Sequence, residues 1–138
     1  MKAPLYQEIL DLCQTMAEAS AVENETDYST AHQVLQKLCQ TNQNTPKDHP
    51  LQWEALADFT HDGDQALDIY QLALNCAEKL ALVDSQASVL LAIAQRYDEF
   101  EEYDKAKEFA AQANAFVEKI NSNELKVEIS DFMSKLSI

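Results

Sequence analysis

The sequence predicts an all-α fold of about seven helices, with consecutive helices packed antiparallel. Its segments repeat their apolar residues with helical period, and none alternates with period two over a useful length. Polar turns of roughly two to six residues join most of these segments, which makes neighbours pack antiparallel. Finally, the 138 residues contain one glycine, Gly63, where average usage would supply about ten.

The elements follow in order. Helix one is expected over 4–22, with Leu5, Ile9, Leu12 and Met16 in one stripe and Pro4 in the first turn. Asn24-Glu25-Thr26-Asp27 supplies an N-cap for helix two over 28–41, which carries Tyr28, Ala31, Leu35 and Leu38 on one face. Residues 42–50 form a linker with two of the three prolines and no apolar residue. Helix three spans about 51–60. His61-Asp62-Gly63-Asp64 is read as a tight turn with Gly63 as its flexible residue. Helix four is expected over 65–82, and Asp84-Ser85 as a break with an N-cap. Helix five covers 86–99 and helix six 104–120. Asn121 and Glu124 are spaced as in a capping box before helix seven, 124–136, with Leu125, Ile129, Phe132, Met133 and Leu136 inward. The whole of 1–138 reads as one domain.

Composition narrows the function. Ten Lys and Arg against 24 Asp and Glu give a net charge of −14, which disfavours nucleic acid and anionic membranes as partners. One glycine excludes a dinucleotide fingerprint, a phosphate-cradling loop and a nucleophile elbow. Residues 1–11 show no apolar run of a signal peptide, and no stretch is long enough to span a membrane. Cys13, Cys39 and Cys76 are too few and too scattered for a disulfide framework, so reduced, buried thiols and a cytoplasmic location are expected.

The chain also repeats internally. At a shift of about 40, Asp64-Gln65-Ala66-Leu67 falls on Asp104-Lys105-Ala106-Lys107, Ala73 on Ala113 and Glu78 on Glu118. At a shift of about 37, Trp53, Leu56 and Ala57 fall on Leu90, Ile93 and Ala94. One unit therefore reads Trp53-x₂-Leu56-Ala57, then Ala66-x₃-Tyr70-x₂-Ala73. The next reads Leu90-x₂-Ile93-Ala94-x₂-Tyr97, then Ala106-x₃-Ala110-x₂-Ala113. At these residues the chain resembles the tetratricopeptide family of helical repeats. The resemblance covers about residues 50–120. It implies a right-handed stack of helix pairs, with units at 51–83 and 85–120, a degenerate N-terminal pair at 1–41 and a capping helix at 122–138. Thr60 departs from the pattern where an aromatic is expected, and neither unit ends in the family's proline. A generic helical bundle is the alternative.

No chemistry-bearing constellation is complete. Asp58-x-x-His61 has the spacing of a carboxylate–histidine metal pair but lacks a second pair, so no metal and no cofactor is expected. His32 lacks the residues that follow a phosphotransfer histidine. No nucleophile motif is present, so the chain is not expected to be an enzyme. Asp98, Glu99, Glu101, Glu102 and Asp104 form an acid cluster, either a solvated helix end or part of a docking surface.

The resemblance implies a concave face lined by the first helix of each unit. Glu54, Asp58 and His61 would lie there in one unit, and Ser88, Leu91, Gln95, Asp98 and Glu99 in the next. The family's clamp for C-terminal carboxylates uses cations, and Arg96 is the nearest one here. A basic peptide, helix or protein surface is therefore the expected partner. The alternative is a small acidic immunity or antitoxin-type protein that neutralises a basic toxin. The sequence leaves the oligomeric state open.

Overall fold

The computed structural model describes residues 2–136. The fold is all-α: α1 (Tyr6–Ala21), α2 (Glu25–Asn42), α3 (Pro50–Asp58), α4 (Gly63–Lys79), α5 (Val83–Glu99), α6 (Tyr103–Asn114) and α7 (Asn123–Leu136), with a 3₁₀ turn at Val117–Lys119 and no strand among the described residues. Two compact units divide between Ala73 and Leu74, inside α4.

In the first unit α1 and α2 form an antiparallel hairpin, and α3 packs against both. Ile9, Met16, Leu35, Cys39, Pro50 and Gln52 are its fully enclosed large side chains, with Ala19 and Ala31 buried where the helices run close. Asn24 caps α2 by accepting the Asp27 N–H at 3.1 Å, so α2 starts before Tyr28. Between α2 and α3 the chain is organised by one carboxylate. Asp48 Oδ2 accepts the Asn44 N–H at 2.9 Å, and its Oδ1 accepts from Trp53 Nε1 at 2.8 Å and from Gln52 Nε2 at 3.2 Å. His49 caps α3, its Nδ1 accepting the Leu51 N–H at 3.1 Å, and Pro50 suits the first turn. The expected linker is thus a tightly bonded loop.

The second unit packs α5 on α6 and α6 on α7, with further contacts from α5 to α7 and to the 3₁₀ turn. Three bonds from two carboxylates fix the direction of α7. Asp84, in the first turn of α5, accepts the Asn121 and Ser122 N–H groups at 3.0 and 3.2 Å, just before α7. Asp98, near the end of α5, pairs with Lys135 near the end of α7 at 2.8 Å. α7 therefore runs parallel to α5, with α6 antiparallel to both.

Several expected boundaries move. Asp84 is inside α5, because its carboxylate serves the start of α7 and leaves α5 without a side-chain cap. Helix six stops at Asn114 and not at 120, since the tighter 3₁₀ turn carries Ile120 into the core, where it is 2% exposed. Ser122 caps α7 in place of Asn121, accepting the Leu125 N–H at 3.2 Å.

Gly63 is not the flexible turn residue. It opens α4 behind Asp62, whose side chain caps the helix through the Gln65 N–H, and no glycine has positive φ. Left-handed backbone falls on Asn44, at φ 61°, and on Glu23, Ala81 and Glu101, at φ 55°, 55° and 62°. Each of the last three follows a helix end. The next residue's N–H returns to a carbonyl five residues back, Asn24 to Ala19, Leu82 to Ala77 and Glu102 to Tyr97. These are Schellman closures made without glycine.

Two outcomes are expected in urea denaturation. Trp53 is 4% exposed, so Trp53→Ala should lower stability by about 3–5 kcal/mol. Ala81→Gly should raise it by about 0.5–1 kcal/mol, the left-handed penalty relieved exceeding the added chain entropy.

Candidate functional site

In the first unit, Glu54 is half-buried on α3, and Asp58 and His61 are exposed at the α3–α4 turn. Asp58 Oδ1 accepts from the Tyr70 hydroxyl at 2.5 Å. Tyr28 Oη donates to the Phe59 carbonyl at 2.5 Å, which commits its only hydrogen. His61 Nε2 must then donate to Tyr28 Oη, at 2.9 Å. The same reasoning applies one turn along α2. Thr60 Oγ1 donates to the Leu56 carbonyl at 2.7 Å, so His32 Nε2 is the donor in its 3.1 Å bond to Thr60. Two histidines and a tyrosine thus hold the α3–α4 turn against α2.

Beside this cluster lies an open cleft of about 690 Å³ at the α1–α2 turn. Ala19, Glu23, Glu25, Tyr28, Ser29 and His61 line it, with no Lys or Arg among the lining residues. Only His61 of this group is an expected site residue. Glu25 belongs to the polar segment that caps helix two in the sequence, and nothing in the sequence brings His61 to Tyr28.

In the second unit, Ser88, Leu91, Gln95 and Asp98 follow one another at steps of three and four along α5, as one helix face requires. That face is not open along its length. Leu91 is 2% exposed and is a core side chain. Ser88 is half-buried and Gln95 is exposed. Asp98 is engaged by Lys135, with 16% of its side chain exposed. Its hydrogen bond and charge raise the Lys135 pKa.

Beyond Asp98 the surface opens. Glu99, Glu101, Glu102 and Asp104 are exposed around Tyr103, 50% exposed, and Phe100, 39% exposed. A cavity of about 490 Å³ sits there between Asp98, Glu99, Glu101, Tyr103, Lys107 and Lys135.

The described residues hold no cluster of three or more His, Cys, Asp or Glu able to bind a metal. The cysteines carry no disulfide. Cys39 Sγ donates to the Gln52 carbonyl at 3.2 Å, and burial, reinforced by the charge of Asp48, pushes its thiol up to about 12. Such a thiol is not a nucleophile at neutral pH. No helix is long and apolar enough to cross a membrane among the described residues. No family model matches this chain, and comparison with curated proteins and with solved structures likewise finds no match.

Two histidines give the fold a pH dependence. Burial and then the charge of His61 lower the His32 pKa; burial lowers that of His49, against the opposing charge of Asp48. The unfolded chain gains these protons as pH falls through about 6.5, whereas the folded chain resists them. The stability contributed by each neutral imidazole is therefore complete above about 6.5 and is lost as pH falls through the lower folded value. Protonation of His49 also removes the acceptor that caps α3. His49→Asn keeps a cap and removes that titration, so its urea midpoint should fall less between pH 7 and 5 than that of the wild type.

Proposed function

We propose that this chain is a non-enzymatic interaction module of tetratricopeptide-like design that binds a basic surface of a partner protein. One observation carries the reading. At the α5–α6 junction two exposed aromatic rings, Phe100 and Tyr103, stand among the exposed carboxylates of Glu99, Glu101, Glu102 and Asp104. Aromatic anchors supply contact area at low entropic cost, and a rim in which carboxylates outnumber the neighbouring Lys107 and Lys135 favours a basic partner and speeds encounter.

The repeat reading has support of its own. Trp53, Leu56, Ala57, Ala66, Tyr70 and Ala73 are buried at the pattern positions of the first unit. Leu90, Ile93, Ala94, Ala106, Ala110 and Ala113 are buried at those of the second. Asp84 to Asn121 and Asp98 to Lys135 both span 37 residues, the shift that relates the first helices in the sequence. The three free cysteines fit a reducing, cytoplasmic compartment.

A photo-crosslinking residue in place of Tyr103 tests the proposal in the native cell. The expected product is a protein whose crosslinked segment is rich in Lys and Arg. Adding Glu101→Lys and Glu102→Lys should reduce its yield about tenfold with the unfolding midpoint unchanged. A crosslinked segment without basic residues, or a yield indifferent to the reversal, would overturn the reading.

A further inference from the structure

We propose that the cleft at the α1–α2 turn receives a single basic side chain, arginine or lysine, of the partner. The inference rests on the reading above and adds a separate contact point on the first unit.

The cleft's size and wall come first. At about 690 Å³ it lies in the usual range of ligand pockets, about 300–1,000 Å³. Its wall is held in place before any ligand arrives. The Tyr28 ring stacks with His32 at 6.4 Å between centroids and 12° between planes, meets Phe59 at 6.3 Å and takes the edge of His61 at 5.1 Å. Its hydroxyl is bonded to both Phe59 and His61. A ring fixed in this way loses little freedom when something packs on it.

The rim sets the sign of the charge. Glu23 and Glu25 are exposed, and neither carboxylate makes a hydrogen bond or ion pair within the described residues. The N-terminus of α2 carries about half a positive charge, and Asn24 and Asp27 already serve it. Two full negative charges outweigh that dipole, so an anion is rejected. A bare metal ion lacks the ligands, since no group of three such side chains exists among the described residues. An arginine or lysine matches both parts. Its hydrocarbon stem suits Ala19 and the Tyr28 ring, and its head suits the paired carboxylates.

The test is an NMR titration of the whole chain with an oligoarginine peptide, and an oligoglutamate peptide as control. Oligoarginine should shift the amides of Ser20, Glu25, Ser29 and His61. Glu23→Gln with Glu25→Gln should abolish those shifts. Glu101→Gln with Glu102→Gln, the same change in net charge, should leave them in place. Cleft shifts that survive the first pair of substitutions overturn the proposal. Shifts confined to the α5–α6 junction overturn it too, while leaving the broader reading intact. If the peptide binds nowhere, both fall.

Discussion

Close approach of helices is the constraint on which the rest of the structure depends. Two helix backbones can come near only where the facing side chains are small, and here alanine supplies nearly all of those positions. In the second unit Ala87 and Ala94 on α5, and Ala106, Ala110 and Ala113 on α6, are completely buried. Large side chains, Val89, Leu90, Leu91 and Ile93 among them, then fill the space beside the contact. An alanine-based contact costs little side-chain entropy and suits helix propensity. It also tolerates no enlargement, because a methyl group added there has nowhere to go.

Acidic residues do part of the work that glycine and proline do elsewhere. Asp48 gathers a backbone N–H, an indole N–H and an amide on one carboxylate, and so shapes the loop before α3. Asp84 gathers two consecutive backbone N–H groups before α7. A carboxylate accepting several hydrogen bonds is a strong local organiser. Part of the −14 charge is thus structural and faces inward, and the remainder sits on the surface.

The helices were legible because each carries an apolar stripe of its own. Their ends were less so. The end of α6 depends on Ile120 finding the core, and the start of α5 on Asp84 reaching a chain segment 37 residues away. Neither dependence leaves a local mark. Left-handed caps at Glu23, Ala81 and Glu101 were invisible for a related reason, since none of these residues advertises that conformation. Site residues divide in the same way. His61, Gln95 and Glu99 are exposed, whereas Leu91 is enclosed and Asp98 is taken by Lys135. The Tyr28–His61 contact joins residues 33 apart, and only the fold brings them together.

The parallel course of α5 and α7 has a consequence for how far such packing can continue. α7 runs parallel to α5, and its outward side carries Glu124, Glu128, Ser130, Asp131 and Ser134, all exposed. Val127, 58% exposed, is an apolar residue among them. A further helix laid over that side would have to strip water from three carboxylates for the gain of one valine. α7 is thus apolar toward its own unit, through Ile129, Phe132 and Leu136, and hydrated on its opposite side.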